Sequence, residues 1–201
     1  MRQSGSNGWM RTAAASTLVC AAGGVLLWGG TNGFRAFTTE QARRLSIEES
    51  PRIIPPVALE DQDGRVVALG DFKGQRVAVN FIYTQCTSVC ALLSAGFERV
   101  NRMSGEGIQL MSISFDQRDT PARLREYASH FGADGNSWRF ARVRDSTSLP
   151  TLLRAFGVVV IPDGQGDFQH NAAIHVIDRN GRLARVLDAD VSPDVVLAVR
   201  R

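Results

Sequence analysis

An α/β domain, with a mixed β-sheet flanked by helices and one apolar helix ahead of it, is the fold class this sequence predicts. Three observations carry that expectation. From about Val57 onward, apolar runs of strand length alternate with segments whose apolar residues recur at helical spacing. Late in the chain an Asn180-Gly181 pair separates two strand-like runs, a strong hairpin signal. Near the start, Thr12 to Gly30 carries no charge at all.

Composition sets the outer bounds. The chain has 201 residues, 44% apolar and 21% charged, which suits one globular domain plus an appendage. Its net charge of +3 comes almost wholly from arginine, and Lys73 is the only lysine. The arginines are scattered, with runs no longer than pairs such as Arg43-Arg44. A solvated surface is therefore expected, and no nucleic-acid-binding stripe. Three cysteines are too few for a disulfide framework, and the odd count leaves at least one outside any pair within the chain.

The elements follow in order. Residues 1–35 form the appendage. Arg2 and Arg11 precede the run "TAAASTLVCAAGGVLLWGG", which as a helix spans roughly 28 Å, close to a bilayer's hydrocarbon thickness. Arginines ahead of the run predict a cytoplasmic N-terminus and a domain on the far side of the membrane. We read it as an uncleaved anchor, with a cleaved signal peptide as the alternative. Cys20 lies inside the run as a small residue of that helix. Residues 36–56 are polar, end in Pro55-Pro56 and read as a linker, so the folded domain is expected to cover 57–201.

Within the domain, "VALEDQDGRVVALGDF" reads as a hairpin turning at Asp63-Gly64. "QRVAVNFIYT" is nearly continuous in Val, Ile and aromatics, as a strand buried on both faces is. Val89, Leu92, Leu93, Phe97, Val100 and Met103 then recur at helical spacing. "IQLMSISF" is a second buried strand. "DTPARLREYASHFGAD" is a helix capped by Asp119 or Thr120, with Pro121 in its first turn and Gly132 as its stop. "RFARV" is a strand, and "DSTSLPTLLRAFGV" is a helix with Asp145 or Ser146 as cap and Gly157 as stop. "AAIHVIDRNGRLARVLDAD" is the late hairpin, and "SPDVVLAVRR" closes the chain as a short helix. Alternation of strands and helices implies parallel pairing, and the late hairpin implies an antiparallel edge. Two cysteines at the C-terminal end of a central strand complete a thioredoxin-like arrangement, and ligands gather at that end of open α/β sheets.

Cys86 and Cys90 carry the chemistry. With Cys86 just before a helix and Cys90 in its first turn, both sulfurs fall near one face of the helix start. Free N–H groups and the positive end of the helix dipole favour thiolates there. A thiolate is both the nucleophile of disulfide exchange and a soft ligand for copper or zinc. Two buried small hydrophobes would be the inert alternative.

A metal needs a third ligand, and the chain has three histidines. His130 lies in a helix and reads as a surface residue; His175 alternates with Ile174 and Val176 and reads as a strand-face residue. His170 ends the loop "PDGQGDFQHN", just before the strand that would lie beside the cysteine loop. Thioredoxins carry a proline there, and this chain has none after Pro162 before the strand. His170 is therefore the candidate third ligand. Two thiolates and an imidazole suit copper in both Cu(I) and Cu(II) states, whereas a structural zinc would want a fourth ligand.

From about Val57 to Leu187 the chain resembles the Sco/SenC family of copper-binding, thioredoxin-fold assembly proteins. "NFIYTQCTSVC" is similar to the family's strand and Cys-x-x-x-Cys signature, and "SISFDQRDTPARLREYASHFGAD" to its acidic Asp-Thr-Pro segment and following helix. "SWRFARV" is similar to its next strand, and "HNAAIHVIDRNGRL" to the segment where a histidine precedes a hairpin. The resemblance implies Cys86, Cys90 and His170 as copper ligands. It also implies a metallochaperone that delivers copper to the binuclear copper site of cytochrome c oxidase, or keeps that site's thiols reduced. Expected partners are the oxidase's copper-site subunit or another periplasmic copper or thiol protein. The expected location is a bacterial inner membrane, with a single N-terminal span and the domain facing the periplasm. Asp116 stands where the family has an acidic residue near the site, with a plain turn residue as the alternative. Three positions depart from the family pattern: Ala91 replaces a proline, and Gln169 and Asn171 flank His170 where Asp and Ser or Thr are usual.

Two further readings stay open. Cys86 and Cys90 would serve as the catalytic pair of a thiol-disulfide oxidoreductase. A peroxidase of the same fold is weaker: Thr84 is present, but no specific activating arginine is assignable.

Overall fold

The computed structural model of the chain describes residues 6–86, 89–104 and 107–199. It divides into two units, Met1–Ser46 and Ile47–Arg201. The first holds α1 (Ser6–Gly30), of which Gly8–Gly30 is long and apolar enough to cross a membrane and is unburied along its length. Membrane anchors and signal sequences share that length and composition. Thr12 and Thr17 donate their hydroxyls to the carbonyls four residues back, so neither adds an unpaired polar group to the helix surface.

Helix α2 (Thr39–Glu49) and strand β1 (Arg52–Ile53) lie in the segment that reads as a linker. The reason is physical. Ile47 is the one residue of α2 that is fully buried, so the helix carries almost no apolar stripe to recognise, and its Glu40–Arg43 and Glu40–Arg44 pairs look like loop polarity. β1 is a two-residue edge strand on the late hairpin, with Arg52 opposite Leu183.

The second unit is an eight-stranded mixed sheet. Its strands are β1, β2 (Leu59–Asp61), β3 (Val66–Val67), β4 (Val77–Ile82), β5 (Gln109–Ser114), β6 (Trp138–Val143), and, later in the chain, β9 (Ala173–Ile177) and β10 (Arg182–Asp188). Their spatial order is β1-β10-β9-β4-β5-β6-β2-β3. β4, β5 and β6 are parallel; every other pairing in this sheet is antiparallel. All six residues of β4 are buried, as its unbroken apolar run requires of a central strand. The sheet is the thioredoxin-like arrangement that alternation and the late hairpin predict.

Helices cover both faces. Helix α3 (Val89–Ser104) and helix α4 (Pro121–Ser129) lie over Trp138 and Phe140: Phe97 of α3 stands 6.0 Å from Trp138, and Tyr127 of α4 stands 5.8 Å from Phe140. Helix α5 (Leu149–Phe156) covers the other face, where Phe156 meets Phe81 at 5.2 Å and His175 at 5.3 Å. Helix α6 (Pro193–Ala198) ends the described chain, and Arg76 donates to the carbonyls of Leu197 and Val199 there. The buried stripe of α3 runs through Cys90, Leu93, Ser94, Phe97 and Val100. Leu92 and Met103, expected on that stripe, are exposed, because they sit off the period that Phe97 fixes. Thr87, Ser88, the side chain of Val89, and Arg200 and Arg201 lie outside the described residues.

The punctuation is mostly as read. Thr120 caps α4 by accepting from Arg123 N, and the left-handed Gly132 follows its last turn. Asp145 caps a short 3-10 turn that leads into α5, and Gly157 ends α5 in the left-handed conformation at φ 67°. One expectation needs correction. The loop before His170 contains a small antiparallel ribbon, β7 (Val160–Pro162) and β8 (Phe168–His170), in which His170 opposes Val160. Three-residue strands around a Gly-rich turn show no alternation long enough to read.

Candidate metal centre

Strand β4 delivers the cysteine loop to the C-terminal edge of the parallel strands. Cys86 precedes α3, and Cys90 is the second residue of that helix. Cys86 Sγ accepts the Cys90 backbone N–H at 3.4 Å, so the sulfur satisfies one of the helix's free donors. Cys86 is 6% exposed and Cys90 fully buried. Burial pushes the Cys90 thiol well above its ordinary range, helped by the neighbouring Cys86. The described cysteines are free thiols.

The β7–β8 ribbon brings His170 back to this loop. His170 Nε2 lies 3.5 Å from Cys90 Sγ. Its ring stands edge-on to Phe115 at 5.0 Å, and Phe115, Phe168 and Tyr83 form an aromatic wall around it, with centroids 5.2–5.5 Å apart. Burial lowers the His170 pKa, opposed in part by the backbone of Asn171, so the imidazole is neutral at neutral pH. A neutral ring is the form that ligates. Burial, reinforced by Cys86, likewise pushes the Tyr83 phenol up to about 12.

Among the described residues no three His, Cys, Asp or Glu side chains already stand together as a ready cage. The close pair is Cys90 with His170, while Cys86 Sγ faces the helix N-terminus. His130 caps the end of α4 on the surface, and His175 is a core residue packed edge-on between Phe81 and Phe156. Cys20 is exposed in α1, in the other unit.

Several residues that shape the site escape sequence reasoning. Asp119, expected as a possible helix cap, is fully buried and accepts from Thr84 N (3.0 Å), Thr84 Oγ1 (2.5 Å) and Ser114 Oγ (2.5 Å). Thr120 takes the cap instead. Asp116 is buried and paired with Arg118 through both carboxylate oxygens, and it also accepts Arg118 N. Arg118 in turn donates to Gly166 O and stacks over Phe168 at 5.5 Å. Asn171 accepts Val159 N at 2.7 Å and donates to Gly157 O at 3.0 Å, tying the foot of the ribbon to the end of α5. The Asp-Thr-Pro string was the available signal for Asp119, and the family resemblance singled out Asp116 and Asn171, but nothing in the sequence marks the partners these two residues hold.

A family model described as SCO1/SenC matches residues 46–200, most of the chain and all of the site just described. The chain belongs to the SCO1/SenC family. A SCO1 protein homolog of Bacillus subtilis is 23% identical over 138 residues, covering 66% of this chain and 72% of that relative. The solved structure of Bradyrhizobium japonicum ScoI with copper bound superposes with a TM-score of 0.63 at 28% identity, over 73% of this chain and 96% of that one. BsSco, described with a disulfide switch and as a member of the Sco family of cytochrome c oxidase assembly proteins, superposes at 0.66 with 18% identity, over 74% and 91%. SCO1/SenC membership supports a redox- or chaperone-type function, and with the apolar α1 it is consistent with a membrane-anchored protein facing the periplasm.

Proposed function

We propose that this chain is a membrane-tethered copper metallochaperone, carrying copper as cargo on the Cys86 and Cys90 thiolates and the His170 imidazole. The observation that carries the reading is the 3.5 Å separation of Cys90 Sγ and His170 Nε2. Metal–sulfur bonds of about 2.3 Å and metal–nitrogen bonds of about 2.0 Å at a tetrahedral angle give an S···N edge of about 3.5 Å. The donor set is soft enough for Cu(I) and keeps one imidazole for Cu(II). Cys86 Sγ stands at the start of α3, where it accepts the Cys90 N–H.

The destination is the binuclear copper site of cytochrome c oxidase, reached by ligand exchange onto the partner's thiols. Family membership supports this, as do relatives whose structures hold copper or that assemble the oxidase. Helix α1 serves as the tether and raises the effective concentration toward a membrane-bound partner. Residues 1–35 are then the anchor and 57–201 the copper-binding domain. Residues 36–56 are the linker between them, and from Ile47 onward they belong to the second compact unit.

Copper titration of the full chain in detergent, alongside His170→Ala, tests the reading. Loss of Cu(II) binding and of its sulfur-to-copper absorption in the variant supports it. An unchanged affinity and spectrum would falsify it.

A second reading rests on the different environments of the two thiols. Cys86 is the more accessible and sits at the helix N-terminus, while burial holds Cys90 protonated. In a thiol-disulfide oxidoreductase, the Cys86 thiolate attacks a partner disulfide and one partner thiolate leaves. Cys90 then gives up its proton and attacks Cys86 sulfur. The chain ends as the Cys86–Cys90 disulfide, and the partner gains two electrons and two thiols.

A further inference from the structure

Two sequence-distant halves make the site: the cysteine loop after β4 and the ribbon ending in His170. Both are gripped by one four-residue turn, Asp116 to Asp119, at the end of β5. Asp119 reaches back 35 residues to hold Thr84, two positions before Cys86, through the Thr84 N–H at 3.0 Å and hydroxyl at 2.5 Å. Arg118 reaches forward 48 residues to the ribbon, donating to Gly166 O at 2.5 Å and covering the Phe168 ring at 5.5 Å. The turn itself is knotted. Ser114 Oγ donates to Asp119 and accepts Asp116 N, Asp119 N donates to Asp116 O, and the buried Asp116 carboxylate takes Arg118 on both oxygens.

We propose that Asp116–Asp119 is a clamp that fixes His170 against the cysteines, with Arg118 and Asp119 as positioning residues for its two halves. It rests on the copper reading for its functional consequence. An exposed ion pair alone would do little. Here the Asp116 carboxylate is buried, Arg118 Nε and Nη2 both engage it while Nη2 also reaches Gly166 O, and a lysine offers a single point charge in their place. Thr120 caps α4, so Asp119 is not required for that task.

The test uses the full chain with Arg118→Ala, Arg118→Lys and Thr84→Val, each alone and combined with His170→Ala. Arg118→Ala should weaken Cu(I) binding, which the two thiolates retain in part without the imidazole, by about 10- to 100-fold when His170 is present. Combined with His170→Ala, it should add less than about twofold, because Arg118 acts through that ring. Arg118→Lys should fall between. Thr84→Val should weaken binding alike in both backgrounds and shift the Cys86/Cys90 reduction potential, which Arg118→Ala should leave alone. Equal losses for Arg118→Ala in both backgrounds, or none in either, overturn the clamp. A metal-free readout separates its failure from that of the copper reading: carbethoxylation of His170, followed by mass spectrometry, should speed up about fivefold or more in Arg118→Ala as the ribbon opens more often. An unchanged rate overturns the clamp whatever copper does.

Discussion

Cys90 Sγ and His170 Nε2 lie 3.5 Å apart although 80 positions of chain separate them. The contact exists because β4 and β9 are antiparallel neighbours in the sheet, with Val79 opposite His175. The end of one therefore lies beside the beginning of the other. The aromatic wall of Phe115, Phe168 and Tyr83 then fixes the ring's orientation.

The ligand set is tested by Cys86→Ser and Cys90→Ser. Each removes a soft donor, and Cu(I) affinity should fall by about 100-fold or more in each. Competition against a chromophoric chelator measures it. Retention of full affinity by either variant removes that cysteine from the site.

Copper uptake should strengthen as pH rises. Burial holds the Cys90 thiol above its ordinary range, so the ion must displace that proton. Conditional affinity should therefore rise about tenfold per pH unit for the Cys90 proton alone. Titrations at three pH values between 6 and 8 check the slope.

Folding stability should depend on His170 in the acid range. Its folded pKa is lowered from 6.5 by burial, so the unfolded chain binds the proton more readily. His170's contribution is thus intact above about pH 6.5 and declines as pH falls from there toward the lowered folded value. Urea midpoints of the parent and His170→Ala across pH 5 to 8 should converge toward the acid end. Parallel curves would contradict this.

Oxidation should block loading. A Cys86–Cys90 disulfide leaves neither thiolate to bind, so the oxidised protein should take up no Cu(I) until treated with a thiol reductant. Metal analysis after gel filtration of oxidised and reduced samples decides it.

Asn171→Ala removes two backbone contacts at the foot of the ribbon, at Val159 and Gly157. It should lower stability by about 1–2 kcal/mol. Denaturant unfolding measures the cost, and no change would mean that the ribbon is held by other contacts.

Much of this was legible in the sequence because it depends on period and punctuation. The unbroken apolar run of β4, the Asn180-Gly181 turn and the Pro121 helix start leave little choice of element or order. The position of His170 beside the cysteine loop follows from that order. What stayed hidden depends on long-range polar contacts or on very short elements. Asp119 looks like a helix cap until Thr120 is seen to fill that role. Arg118 is one of many scattered arginines until its fork is seen on Asp116 and Gly166. The segment 36–56 reads as a linker because α2 fully buries only Ile47 and β1 is two residues long. Asn171, a departure from the family pattern, turns out to tie the ribbon to α5.

X-ray absorption at the copper edge of the loaded protein tests the central claim most directly. Two sulfurs near 2.2–2.3 Å and one imidazole nitrogen near 2.0 Å, the nitrogen vanishing in His170→Ala, is the expected result. A first shell of sulfur alone, unchanged by that substitution, would contradict the account.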